Sequence, residues 1–404
     1  MSRSHQNAWL SVSSVAVGSF GTVLSEFLPI GLLPSISSDL GVEIATAGLM
    51  VVVTGLAAAV AAPVVTVATS GLDRRVVLIG LSAVLVVSDV IAATAGAFAV
   101  LLAARVLLGV ALGGFWAIGA GIAVRLVDAS RTIRATSLIT AGISIATVVS
   151  LPLGAVVAAT STWRLAFVIG AGIGLVALVL QLLTLPAMPA EQRVRPAEQR
   201  VRPAALTALF GVPRARIGLL VAALLFAAQF AAYTYISPFL HDVAKVDPDV
   251  VSVALLVFGV SGVVGNSAAG VTLHRSVSGT LVAGGIALAA AVALLPLVAH
   301  LPVAVFVLLV VWGIVWGGLP LGLQTWMVQA TPAGSEAGLA MFVTTIQVAL
   351  AIGSSLGGVA VAAVGIAVDF QLAAVIALLG AGALVWLGVR TAGSARRGAA
   401  AADH

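Results

Sequence analysis

Residues 101–121 read "LLAARVLLGVALGGFWAIGAG", an apolar run of helix length broken by one charge, Arg105. About 20 apolar residues cover the hydrocarbon core of a bilayer as a helix. A charged side chain in that core costs roughly 2.5–3.5 kcal/mol even on a lenient insertion scale. The stretch reads as a membrane-spanning helix that carries its arginine for a reason, and the rest of the chain has to supply it.

The pattern repeats along the chain. Of 404 residues, 61% are hydrophobic and 8% charged, against about 25% charged in a soluble domain; mean hydropathy is +1.21. There is too little polar surface to coat a globule in water. Cutting at charges, prolines and turn residues leaves six apolar segments at 9–33, 44–69, 76–95, 98–124, 135–160 and 164–185. Six more follow at 216–238, 250–271, 278–299, 302–328, 338–364 and 370–391. The class is all-α and polytopic: a six-helix bundle over 1–185, a linker over 186–215, and a second bundle with a short tail over 216–404. The linker carries a perfect duplication, "AEQRVRP" at 190–196 and 197–203, which reads as a tolerated expansion of a polar connection. The amino terminus, "MSRSHQNAWL", shows no small-residue cleavage site, so its first apolar run is expected to be a retained helix.

The net charge of +5 comes from basic residues lying between apolar segments, a topology signal rather than a nucleic-acid patch. With the amino terminus in the cytoplasm, sixteen basic residues fall in or beside cytoplasmic segments, and Arg164 and Lys245 fall outside. The outer loops carry Asp39, Glu43, Asp242, Asp247, Asp249 and Asp369. Both termini are therefore expected in the cytoplasm. Two sixes joined by a cytoplasmic linker suit a transporter built of parallel repeats. The chain has no cysteine, and its five histidines sit at loops or termini. No HExxH or nucleotide-binding glycine loop occurs, so neither an enzyme, a metal site nor a cofactor is expected. A channel's filter loop or repeated charged ring is also missing.

Several motifs resemble the major facilitator superfamily, in its drug:proton antiporter branch. "SGLDRRVVL" (70–78) is similar to a shortened form of the cytoplasmic signature between the second and third helices. "RVLLGVALGG" (105–114) resembles the fourth-helix signature, and "SLPLGAVV" (150–157) keeps part of the fifth-helix one. "SEFLPIGLLPSISSDLGV" (25–42), "LGVALGGFWAIGAGIAVRLV" (108–127) and "AAQFAAYTYISPF" (227–239) are most similar to bacterial purine ribonucleoside efflux pumps. The resemblance implies a monomeric proton-coupled antiporter of a bacterial cytoplasmic membrane, exporting nucleosides such as inosine and guanosine. Export of drugs such as chloramphenicol, with a role in drug resistance, or of arabinose-like sugars is the alternative. The proton gradient would be the energy source.

Three charged residues lie clearly within the expected helices rather than at their ends, Glu26, Asp89 and Arg105, all in the first six. A proton-coupled exporter needs a carboxylate sensitive to burial and to a nearby cation, which places coupling in this half. Glu26 is the leading candidate, and Pro29 and Pro34 just beyond it suggest local unwinding. Arg105 is expected to pair with Glu26 or Asp89, to contact substrate, or else to snorkel to the outer interface. Asp89 is expected near the periphery or on the proton path. For substrate, Phe115 and Trp116 follow small residues that would leave room beside them. Gln229 and Tyr233 share a helix face at i, i+4, with Tyr235 close by. Asn266, Gln324, Trp326 and Gln347 would add contacts, whereas Trp312 and Trp316 read as packing residues. Flat rings can stack on a purine, and amides or phenols can satisfy ribose hydroxyls and base edges. Asp73, Arg74 and Arg75 are expected to form a conformational latch, bridging to the start of another helix.

Overall fold

A computed structural model describes residues 3–69, 71–189, 211–331 and 335–402. The described residues form helices and turns with no strand, and twelve helices among them are long and apolar enough to cross a membrane. The first six are α1 (Arg3–Leu40), α2 (Leu49–Ala68), α3 (Arg74–Thr94), α4 (Phe98–Leu126), α5 (Thr132–Thr160) and α6 (Trp163–Thr184). The second six are α7 (Pro213–Thr234), α8 (Pro248–Arg275), α9 (Val277–Leu297), α10 (Pro302–Ala330), α11 (Ser335–Val364) and α12 (Ile366–Ala402). The all-α, twelve-helix class is the one the apolar runs implied. The linker duplication lies outside the described residues.

The helices group into two compact units. Unit 1 contains α1–α6 together with Thr234–Asp242 and Val246–Leu256; unit 2 contains the rest of α7 and α8 with α9–α12. The switch between units falls where α7 breaks. Tyr235 leaves helical geometry (φ −106°, ψ 16°), a short Ile236–Pro238 turn follows, and Phe239–Val243 winds as a π turn. Tyr235 is fully buried in unit 1, its ring set against Gly48 where a Cβ would clash.

Lipid tails supply no hydrophobic drive for helix to meet helix, so contact depends on close van der Waals approach at small residues. In unit 1, Gly109 and Gly113 let α4 lie against the backbone of α2 at Thr54–Ala58, and a Cβ at either would strike a carbonyl oxygen. The four-residue spacing keeps both on one face. In unit 2, Gly313 and Gly317 let α10 meet α8 at Phe258 and Gly262 in the same way. Gly31 against Leu151 and Gly154 closes α1 on α5, and Gly353 against Ala227 closes α11 on α7.

Three local expectations are corrected. Pro29 and Pro34 do not unwind α1, which runs unbroken to Leu40; the consequence of Pro29 is a freed carbonyl, used below. The glycines before Phe115 leave no space, because Gly113 is filled by Ala58 and Gly114 by Leu81. Asp369 is not a loop residue but lies in the first turn of α12, because Gly365 (φ +91°) ends α11 sharply.

Candidate functional site

The reason for Arg105 lies at the centre of unit 1. Proline has no amide hydrogen, so the carbonyl four residues before it in a helix loses its partner. For Pro29 that carbonyl belongs to Ser25, and Arg105 Nη1 donates to it at 2.8 Å. Arg105 Nη2 reaches Asp89 Oδ1 at 3.4 Å, with both side chains 0% exposed. The Ser25 hydroxyl donates to Asp89 Oδ2 at 2.6 Å. The guanidinium lies 4.9 Å from the centre of the Phe167 ring, a favourable cation–π distance. Gly170 makes room for the carboxylate, since a Cβ there would stand 2.7 Å from Asp89 Oδ2. Ser88 donates to the Ala104 carbonyl at 2.6 Å and ties α3 to α4 beside the pair. Four helices, α1, α3, α4 and α6, thus converge on one balanced charge pair.

Of the alternatives for Arg105, pairing with Asp89 is the one formed. It does not snorkel, and Asp89 is not peripheral: both are sealed in the interior of unit 1. Glu26 follows Ser25 and points about 100° around α1 from it. Its side chain is 6% exposed and makes no hydrogen bond or ion pair with any described residue. Unit 1 therefore holds two buried carboxylates in opposite circumstances, one neutralised and hydrogen-bonded, the other alone.

In unit 2, Gln229 is fully buried, its Oε1 accepting from Trp312 Nε1 at 2.7 Å. Its Nε2 is sealed from solvent without a partner among the described residues. Tyr233, one turn on, lies 5.1 Å from the ring of Phe258 and 6.2 Å from that of Trp312. Trp312 thus both packs and positions the Gln229 amide. Gln347 is buried on α11 without a hydrogen bond to any described residue, whereas Asn266 and Gln324 are exposed on α8 and α10.

Other expected substrate residues stand elsewhere. Phe115 is buried in the unit 1 core with Val12, Val15 and Leu81, its ring against Gly18. Trp116 is 41% exposed. Tyr235 packs on Gly48. Trp326 donates to the Arg214 carbonyl at 2.9 Å, at the start of α7, and abuts Gly218. Phe115, Tyr235 and Trp326 are therefore packing residues, because each ring fills the space a glycine leaves or bonds to a neighbouring backbone.

Asp73 caps α3 by accepting from Arg75 N at 2.8 Å, the arrangement favoured for an N-cap acid. Both of its oxygens also accept from Met188 N, at 2.9 and 3.1 Å. Arg74 N donates to the Met188 carbonyl at 3.0 Å, and Arg75 Nη2 to that of Leu182 at 2.8 Å. These bonds run to the end of α6 and the chain just after it, not to the start of another helix.

Sequence reasoning missed Ser25, Phe167 and Asp369. Ser25 was findable, because Pro29 four residues later frees its carbonyl. Phe167 carries no local signal.

The Major Facilitator Superfamily model matches residues 15–346. The chain belongs to the Major Facilitator Superfamily. It is 36% identical over 374 residues to a Pseudomonas aeruginosa protein described as transcription regulatory protein OpdE, covering 93% of this chain and 92% of that one. It is 32% identical over 371 residues to the purine ribonucleoside efflux pump NepI of Escherichia coli, covering 92% of each. Among solved structures, the nucleoside transporter NupG superposes with a TM-score of 0.73 at 19% identity, covering 94% of this chain and 98% of that one; at that identity the likeness shows the fold. This superfamily member is a membrane transporter, not an enzyme.

Proposed function

We propose that this transporter is a proton-coupled antiporter of a bacterial cytoplasmic membrane that exports purine ribonucleosides such as inosine and guanosine by alternating access. In this reading it works as a monomer, with both termini in the cytoplasm and the proton gradient as its energy source. The observation that carries the coupling is the contrast at Ser25–Glu26. Asp89 is balanced by Arg105 and held by Ser25, so it is a fixed part of the frame. Glu26, next to Ser25 in the chain, is buried with no ion pair or hydrogen bond to any described residue. A lone ionised carboxylate in a desolvated site is costly, so Glu26 gives up its proton when substrate or water reaches it and regains one when that site opens outward.

The substrate class rests on the identity with NepI. The chemistry of unit 2 supports it: the unpartnered Gln229 Nε2 and the Tyr233 phenol can meet base and ribose acceptors, and the rings around them can face a purine. Trp116, Asn266, Gln324 and Gln347 are the further contacts proposed. In this scheme Asp73, Arg74 and Arg75 hold the end of α6 and the start of the linker to α3, so the latch acts through unit 1.

The test uses inside-out vesicles with an acid lumen. Inosine or guanosine is expected to dissipate the pH gradient, with no effect from arabinose or chloramphenicol. Glu26→Gln is expected to abolish that proton movement and to leave inosine–inosine exchange intact. A response to chloramphenicol or arabinose alone would replace the substrate; proton movement undiminished in Glu26→Gln would replace the coupling residue.

A further inference from the structure

Unit 2 contains a carboxylate that the scheme above leaves idle. Asp369, in the first turn of α12, is 1% exposed. Its Oδ2 is sealed from solvent with no partner, and neither oxygen accepts a hydrogen bond from a described side chain or backbone amide. The turn that carries it is pinned on both sides. Gln371 Nε2 donates to the Ala293 carbonyl of α9 at 2.8 Å, and the Phe370 ring stands edge-on to Trp312 of α10 at 6.1 Å. These contacts hold in place the backbone that carries the carboxylate.

No cation among the described residues pairs with it. The elements packed against α12 include α7, α9, α10 and α11. Neither α9 nor α10 carries an ionisable residue, and the acid of α11, Glu336, lies at the end of that helix remote from α12's first turn. On α12 itself the next charge is Arg390, 21 residues on. On α7, Arg214 and Arg216 lie in the first turn, and Tyr233 is the titratable group near Trp312. His300, between α9 and α10, is exposed. An acid so placed differs from Asp89, which has Arg105, and shares the situation of Glu26.

We infer that Asp369 is a second proton-exchange site, loaded and unloaded once per cycle together with Glu26, so that two protons move for each substrate. This rests on the proton-coupled transport proposed above. In each half-cycle one O–H bond forms at the carboxylate from a water-borne proton and later breaks to return it, with no other reactant. The site belongs to the half of the molecule whose helix interiors otherwise carry neutral polar groups, and it gives unit 2 its own link to the gradient.

Two measurements on the full-length protein decide it. In reconstituted vesicles with the membrane potential clamped at zero, Asp369→Asn should keep inosine exchange. Its gradient-driven accumulation should fall about tenfold for each pH unit imposed, the factor that one proton contributes. Wild-type accumulation in Asp369→Asn would overturn the proposal. The second is a difference acid–base titration of purified wild-type and Asp369→Asn protein, which needs no substrate. One exchangeable proton fewer in the mutant across the working pH range supports the site, and superimposable curves overturn it. If wild type fails to move inosine against protons, the function proposed above falls while the titration still judges Asp369. Should the Asn chain not fold, Asp369→Glu replaces it in the titration: a curve displaced from wild type supports the site, an identical one overturns it.

Discussion

Gly109 and Gly113 in unit 1, and Gly313 and Gly317 in unit 2, occupy equivalent places, each pair letting the fourth helix of its unit lie on the second. The charges do not repeat in this way. Unit 1 seals an Arg105–Asp89 pair among four helices, and unit 2 has an aromatic group around Gln229 and Trp312 at its heart. The contrast separates two demands on the sequence. Helix contact in a bilayer needs small residues wherever helices cross, so a duplicated scaffold keeps them in both copies. A buried ion is costly in any copy and persists only where a partner or a task justifies it.

The largest effect is expected from removing the charge balance. Arg105→Met leaves Asp89 buried against Ser25 with no cation and should destabilise unit 1 by about 3–5 kcal/mol. A thermal or denaturant melt of the purified protein reads this. The Arg105→Met/Asp89→Asn double variant should recover much of the loss, as expected for residues that share one interaction. Additive losses would mean that the two do not stabilise each other.

The equivalence of the two crossings is tested by Gly113→Leu and Gly317→Leu. Each forces a side chain into the facing backbone, an overpacking cost of about 1–3 kcal/mol. Similar losses in the two variants are expected, and a loss at Gly113 alone would break the comparison.

The smallest effect concerns the caps of the third helix of each unit. Ser276 accepts from Gly279 N at 3.0 Å and caps α9, as Asp73 caps α3. Ser276→Ala should cost about 1 kcal/mol, typical of a lost N-cap. Asp73→Ala should cost more, since it also releases Met188 N. Equal losses would show that the grip on the end of α6 contributes nothing.

Most of the fold was legible in residue order. Apolar runs of helix length, bounded by charges and prolines, locate twelve helices because a bilayer demands a fixed length of apolar residues and punishes exposed backbone. The helix ends were less legible. Nothing in composition stops α1 at residue 33, and it continues to Leu40. The start of α12 depends on the backbone of Gly365, whose positive φ ends α11 one residue before Ile366.

The site was legible in its residues and not in its pairing. Glu26, Asp89 and Arg105 stand out as charges in apolar runs, since each conflicts with the cost of burial in hydrocarbon. Whether Arg105 met Glu26 or Asp89 could not be read from depth along a helix. It depends on which faces of α1, α3 and α4 turn together, and on a serine carbonyl that Pro29 leaves free. The aromatic residues misled for the same reason. Phe115, Tyr235 and Trp326 look like ligand contacts in one dimension, yet each fills space beside a glycine on another helix or turn.

The order of amino acids by itself determined that this chain is a bundle of twelve apolar helices, because solvent transfer acts on each segment separately and needs no knowledge of its neighbours. It also determined which ionisable groups had to be explained. Only the tertiary structure decided that Asp89 is matched and that Glu26 and Asp369 are not. Charge balance is a property of distances between helices, and those distances follow from where small residues allow backbones to touch.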